Sequence, residues 1–266
     1  VEKIGNMAGS FGRVAETYDR VRPGPAPAAV DWLIPAGCGT AVDLAAGTGL
    51  FTRALLGRVP DITAVEPDGR MRAVLAQRTG GVRMLDGRGE AIPLPDASAD
   101  GVFVSTAWHW LDPALAIPEI ARVLRDGGRL GVIWTSRDRA DDWVAELDLL
   151  RLPAVPGEAG EPRTADQVRE DLDRHHSVTL PPDAPFGRAE AASFTFTRMM
   201  EVDDVIDWLA TNSAFITAPP ARREAGLARC RAALLAQATG GSRVEMPLRS
   251  WCWRADRLPR VTERSK

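Results

Sequence analysis

Residues 40–56 read TAVDLAAGTGLFTRALL, and their reading decides the fold. A short apolar strand carrying Asp43 runs into a turn of small residues and glycines, Ala45 to Gly49, and the helical spacing begins straight after it. Strand, glycine loop and helix in immediate succession form the first part of a βαβ unit. Moving outward, ITAVEP from residue 62 is a second short apolar run. A helix with Met71, Val74 and Leu75 on one face follows, and then the strand-like VRML at 82–85. After the turn-rich GRGEAIPLPDASAD, residues 101–107 (GVFVSTA) read as a buried strand, and Asp112-Pro113 supplies an N-cap with proline at the first helical position. That helix is expected to end at Asp126-Gly127-Gly128, ahead of the strand RLGVIWT at 129–135. Strands and helices thus alternate from 40 to 135 in the manner of an open α/β parallel sheet with helices on both faces.

The flanks are less regular. Residues 7–20 place Phe11, Val14 and Tyr18 on one helical face before Pro23, Pro25 and Pro27 break the pattern, and Val30 to Ile34 offer a second short apolar helix face. Residues 136–190 are rich in Asp, Arg, Glu and Pro and read as helices and loops inserted over the sheet. SFTFT at 193–197 alternates as a strand, helices follow at 202–211 and 221–238, and MPLRSWCWRA at 246–255 alternates again, which finishes the sheet with antiparallel pairing at its edge. The expectation is a single domain over 1–266. Within it, 1–30 form an N-terminal segment, 31–135 the α/β core, 136–190 a helical insertion, and 191–258 the C-terminal part of the sheet.

Composition narrows the function classes. The chain has 266 residues, 33 Lys+Arg against 36 Asp+Glu and a formal net charge of −3 with no clustered basic run, which argues against a nucleic-acid backbone as the main partner. No apolar stretch approaches the ~18 residues of a membrane span, and Val1 to Ser10 lack a charged-then-apolar signal pattern, so a cytoplasmic protein without a membrane partner is expected. Cys38, Cys230 and Cys252 lack CxxC or Cys/His ligand spacing and read as reduced, mostly buried thiols, with no metal site.

The chemistry concentrates around Asp43-Leu44-Ala45-Ala46-Gly47-Thr48-Gly49. Glycines between a strand end and a helix start let the backbone approach a polar or anionic ligand. Glu66 ends the second apolar run 23 positions after Asp43, where an open α/β sheet offers a carboxylate to a ribose diol. Together they point to an adenosine-containing cofactor. A dinucleotide fingerprint would need a third glycine where Thr52 stands, which disfavours a nicotinamide oxidoreductase. In Ala107-Trp108-His109-Trp110, after the fourth strand, His109 is the candidate catalytic base, because histidine exchanges protons near neutrality. The competing account has it packed between indoles and bonded to a carbonyl. Trp108, Trp110 and Trp134 near strand ends are expected to line an apolar substrate pocket, whereas Trp251 and Trp253 share a strand face and read as core or interface. His175 and His176, among Asp171, Asp173 and Arg174, read as a solvated helix end, and Arg137 meets either an anionic substrate or a nearby carboxylate.

Taken in order, FGRVAETYDRVRPG, VDLAAGTG, VEPDGRM, GRGEAIPLPDASAD and ARVLRDGGRLGVIW span most of the chain. The set resembles the class I S-adenosylmethionine-dependent methyltransferases, in the small-molecule branch with the ubiquinone/menaquinone-type and trans-aconitate-type enzymes. The resemblance implies a Rossmann-like, doubly wound, seven-stranded, mostly parallel sheet in which 1–30 carry an N-terminal lid helix, 31–135 form the cofactor-binding core and 136–190 are a helical insertion serving as a substrate lid. It also implies methyl transfer from S-adenosyl-L-methionine to an O, N or C nucleophile of a small metabolite, secondary metabolites included, with S-adenosyl-L-homocysteine as product and no metal. By resemblance, Asp43, Ala45, Ala46, Gly47, Thr48 and Gly49 hold the methionine part and the sugar, and Glu66 holds the ribose. Pro67, Met71, Gly89 and Glu90 lie near adenine, Ser105 and Thr106 end the fourth strand at the cofactor, and Tyr18 and Arg22 close over it. Phe11, Trp108, Trp110, Trp134 and Arg137 then meet the acceptor. Two positions depart from the pattern, Ala45 for the first loop glycine and Arg88 for an adenine-accepting Asp. They leave two alternatives: the same fold promoting a cyclisation or isomerisation without methyl transfer, or a binding protein with a degenerate site.

Overall fold

The computed structural model describes residues 15–151, 164, 166–167, 176–239 and 241–260. Four consecutive buried residues, Ala41 to Leu44, make β1 (Thr40–Leu44) a strand that requires neighbours on both edges. It pairs in parallel with β2 (Asp61–Val65) on one side and with β4 (Ala99–Ser105) on the other, and β3 (Arg83–Leu85) extends the β2 side. With β5 (Leu124–Arg137), β6 (Glu190–Glu201) and β7 (Arg243–Asp256) the sheet has seven strands in the order β3-β2-β1-β4-β5-β7-β6. The strand order reverses between β1 and β4, where open α/β sheets bind ligands. The helices are α1 (Ala15–Val21), α2 (Pro27–Leu33), α3 (Leu50–Leu55), α4 (Gly69–Thr79), α5 (Pro113–Val123), α6 (Asp142–Arg151), α7 (Val202–Ala210), α8 (Ser213–Thr217) and α9 (Pro220–Gln237). Among the described residues, no helix is long and apolar enough to cross a membrane.

Local chemistry accounts for the boundaries. Asp68 caps α4 by accepting from the Arg70 N–H at 2.8 Å, and Asp112 caps α5 through the Ala114 N–H at 3.0 Å with Pro113 at the first helical position. At the start of β1, Asp100 Oδ2 accepts from the N–H groups of Gly39 and Thr40 and from Thr40 Oγ1, each at 2.9 Å. One boundary differs from its expectation. Helix α5 closes at Val123, the Leu124 N–H bonding to the Ile120 carbonyl, and β5 begins at once instead of after Gly128. The five-residue step from Leu124 to Arg129 lies opposite the two-residue step from Ala99 to Gly101, so Asp126-Gly127-Gly128 form an irregularity inside the strand. Its backbone is satisfied from far along the chain: Gly127 N–H donates to the Arg257 carbonyl at 3.0 Å, and Arg257 N–H to the Gly128 carbonyl at 2.7 Å.

The late strands run antiparallel, as expected. Asp138 N–H bonds the Pro247 carbonyl near one end of the β5–β7 pair, opposite the Arg257 bonds at the other, and Phe186 and Arg257 form an antiparallel bridge. By its contacts the chain divides into two compact units, and β5, β6 and β7 each pass from one into the other. One unit comprises Gly24–Thr135, Val178–Phe194 and Ser250–Lys266. Its core joins Val42, Leu44, Val102, Val104, Ile117, Leu130, Trp134 and Trp253, with Trp251 packed against it. The other comprises Val1–Pro23, Ser136–Ser177 and Thr195–Arg249, and its core joins Val21, Leu147, Val205, Trp208, Leu209, Phe215 and Leu248. Cys38, Cys230 and Cys252 are buried thiols, and Cys230 Sγ donates to the Leu147 carbonyl at 3.8 Å.

Candidate functional site

At the switch point of the first unit, β1 ends in a loop held against β2. Ala46 N–H donates to the Val65 carbonyl at 3.1 Å, which carries the β1–β2 pairing past the strand and sets Glu66 beside the loop. Glu66, 7% exposed, accepts from Gly47 N–H with Oε2 and from Asp68 N–H with Oε1, both at 2.9 Å. Burial pushes its carboxyl up from the ordinary range, against the pull of those two bonds. Asp43 is fully buried, and Thr52 Oγ1 donates to its Oδ2 at 2.5 Å. Burial pushes this carboxyl up to about 7, the Thr52 bond opposes that, and the Glu66 charge adds to it. Among the described residues, Asp43 Oδ1 and Thr48 Oγ1 are buried oxygens without a hydrogen-bond partner. Such orphans are unfavourable unless a ligand answers them.

The loop backbone is strained where the sequence departs from glycine. Ala45 sits at φ 56°, in the left-handed region that an L side chain disfavours, beside Gly47 at 58° and Gly49 at 85°. Space at Gly47 is open, whereas a Cβ on Gly49 would meet Leu75 Cγ at 3.0 Å and Thr79 Cγ2 at 3.2 Å. Thr106, just past β4 on the neighbouring strand, shares the strain at φ 57° and donates its N–H to the Ile133 carbonyl at 2.7 Å. Ser105 ends β4 opposite Ile133. The chain then turns through Trp108–Trp110, a single 3₁₀ turn with His109 exposed and its ring 4.5 Å from that of Trp110. Trp108 and Trp134 are buried in the same core cluster, and Trp110 packs against it.

The remaining residues singled out by sequence fall into three groups. Met71 is buried on α4, and Pro67 is exposed beside Glu66. In the segment after β3, a Cβ on Gly89 would lie 2.8 Å from Leu111 Cδ2, and Glu90 Oε1 accepts from the Asp112 N–H at 2.9 Å, so this carboxylate ties the segment to the cap of α5. Arg88 is exposed, and its backbone bridges to Ala91. In the second unit, Arg22 donates through Nε to Thr211 Oγ1 at 3.3 Å with its guanidinium 4.3 Å from the Tyr18 ring centre. Arg137, 1% exposed, donates to Asp148 Oδ1 at 2.7 Å and lies 4.8 Å from the Trp208 ring centre, and Arg139 shares Asp148. Thus the carboxylate option for Arg137 is the contact formed. Phe11 and His175 lie outside the described residues, as do residues 7–14 and much of 136–190, while His176 is half-buried in a turn. Sequence reasoning missed Thr52 as a partner of Asp43; its only signal was a polar residue at the third-glycine position.

Residues 42–132, from β1 into β5, match the methyltransferase-domain family. An uncharacterized methyltransferase of Mycobacterium tuberculosis is 41% identical over 226 residues, covering 85% of this chain and 86% of the relative. This chain belongs to the class I S-adenosylmethionine-dependent methyltransferases. A solved structure from Anaeromyxobacter dehalogenans, described as a type II methyltransferase, superposes with a TM-score of 0.64 at 25% identity, covering 90% of this chain and 99% of that one. The ubiquinone/menaquinone biosynthesis C-methyltransferase of Paracoccus denitrificans is 28% identical over 214 residues, 71% of this chain and 86% of the relative. The cofactor of this methyltransferase is S-adenosylmethionine, and the residues present fit it. The unanswered Asp43 Oδ1 is an acceptor for an ammonium, each Glu66 oxygen keeps a second lone pair for a ribose hydroxyl, and no Cβ at Gly47 obstructs the approach.

Proposed function

We propose that this methyltransferase acts on a small metabolite, methylating an O, N or C nucleophile by metal-free in-line displacement, with His109 accepting the acceptor's proton. The carrying observation is the pair of buried carboxylates, Asp43 and Glu66, at the ends of adjacent parallel strands, bracketing a glycine loop that still holds two unanswered buried oxygens. When bound, S-adenosylmethionine supplies a methyl group on a positively charged sulfur, so alignment and exclusion of water are the main demands on the protein. Asp43 holds the cofactor's ammonium and Glu66 its ribose diol, with Met71, Pro67 and the Gly89 backbone beside the adenine. His109 would take up the proton that the acceptor releases on receiving the methyl group, S-adenosylhomocysteine being the other product. Support for His109 comes from its exposure after the strained Thr106, since backbone strain concentrates at working sites. The Paracoccus relative, named a C-methyltransferase, supports carbon as one of the three nucleophiles.

Calorimetric titration of cofactor-free protein with S-adenosylhomocysteine tests the reading. One-to-one saturable binding is expected, weakened roughly 10- to 100-fold by Glu66→Ala, because hydrogen bonds to charged groups are each worth about 1.5–3 kcal/mol. Undiminished binding by that variant would remove Glu66 from the site. Once an acceptor is found, His109→Ala should lower kcat by about 10²–10⁴-fold while cofactor affinity holds. Full turnover across the pH range would leave positioning alone to carry the reaction.

A further inference from the structure

Thr52 stands in the first turn of α3, and its hydroxyl behaves unlike those of Thr79 and Thr211. Thr79 Oγ1 donates back along its own helix to the Leu75 carbonyl at 2.8 Å, and Thr211 Oγ1 donates to the Trp208 carbonyl at 2.7 Å, the usual local solution for a threonine on a helix. Thr52 instead sends its hydroxyl off the helix to Asp43 Oδ2 at 2.5 Å, and its backbone N–H acts on the same carboxylate. Both residues are wholly buried. Two consequences follow from hydrogen-bond bookkeeping alone. Because the hydroxyl proton is given to Oδ2, that oxygen is engaged and Oδ1 is the one left over. Because a donated proton favours the charged acceptor, the bond also favours the carboxylate over the carboxylic acid.

We infer that Thr52 is a positioning residue: it clamps Asp43 by one oxygen so that the other stands as an ionised acceptor for the cofactor's ammonium. The inference rests on the cofactor reading above and adds a residue that the glycine-loop pattern does not include. The group at stake is poised for such control. Burial and the like charge of Glu66, at the end of the neighbouring strand, both oppose ionisation of Asp43, and the Thr52 bonds are what oppose them. Removing the hydroxyl without changing the side chain's shape should therefore tip the carboxyl toward its protonated form, which has no negative charge to offer an ammonium.

Two measurements on the intact chain test this, with Thr52→Val as the isosteric loss and Thr52→Ser as the rescue. The first follows the side-chain carboxyl ¹³C signal of Asp43 in cofactor-free protein from pH 4 to pH 9. Its midpoint should rise by about one unit in Thr52→Val and return in Thr52→Ser. The second is the affinity for S-adenosylhomocysteine against pH. Thr52→Val should bind roughly tenfold more weakly than wild type at pH 6, with the gap narrowing to less than about twofold at pH 8.5, where both carboxyls are ionised, and Thr52→Ser should follow wild type. A purely structural role for Thr52 would lower affinity equally at every pH. Either a pH-independent loss or a Thr52→Val profile that superimposes on wild type overturns the inference while leaving the cofactor reading intact, since wild type still binds. Absence of binding by wild type, with the Asp43 midpoint still displaced in Thr52→Val, overturns the cofactor reading and the ligand role given to Asp43 with it.

Discussion

Ala45 is the residue at which sequence and backbone pull in opposite directions. A left-handed conformation costs an L residue about 1–2 kcal/mol, while glycine gives back about 0.5–1 kcal/mol in chain entropy, so Ala45→Gly should stabilise the fold by up to ~1 kcal/mol in urea titration. Four residues on, the outcome reverses. Gly49→Ala would combine φ 85° with a Cβ 3.0 Å from Leu75 and should cost about 1–3 kcal/mol in the same assay. Asp43 adds a pH dependence whose sign follows from its burial. Its carboxyl moves from 3.8 to about 7 on folding, so its stabilising contribution is complete below about pH 4 and is lost as pH rises through 7. Urea midpoints at pH 5 and pH 8 should therefore fall further for wild type than for Asp43→Asn. The identity of these residues was legible in the sequence, because strand, loop and carboxylate spacing are local. The φ of Ala45 and the direction of the Thr52 hydroxyl were not, since both depend on how α3 sits against the end of β1.

Elements were read well where periodicity and capping agree, as in β1, α4 and the Asp112-capped α5. Asp126-Gly127-Gly128 was misread because its local chemistry is that of a helix stop. What decides its conformation is hydrogen bonding to Arg257, about half the chain away, which no window over residues 113–135 contains. The same limit applies to Gly101 and Gly131, which looked like ordinary strand residues. A Cβ on either would lie 2.7 Å from the Phe103 ring, so this buried aromatic occupies the space that two neighbouring strands leave empty. Gly131→Ala, which would also press on Leu33 at 3.1 Å, should lose about 1–3 kcal/mol by overpacking, read from the denaturation midpoint.

Across the whole molecule, β7 supplies residues to both hydrophobic cores, Val244, Met246 and Leu248 to one and Trp253 and Ala255 to the other. Because one continuous strand enters both, Leu130→Ala in one core and Leu209→Ala in the other should each cost about 2–5 kcal/mol and displace one shared transition, with fluorescence and circular dichroism changing together. Separate transitions would show that the units melt independently. Burial pushes the Cys38 thiol up to about 11 and that of Cys252 up to about 12, so a thiol reagent should label the native protein slowly and all three cysteines once it is denatured. The sheet order carries a further consequence for biosynthesis. Since β7 lies between β5 and β6 yet follows both in the chain, β6 leaves the ribosome with no strand to pair with, and two open sheet edges wait on residues 243–256. A nascent chain stalled before residue 243 should be held by chaperones or aggregate, and release of those last residues should close the sheet.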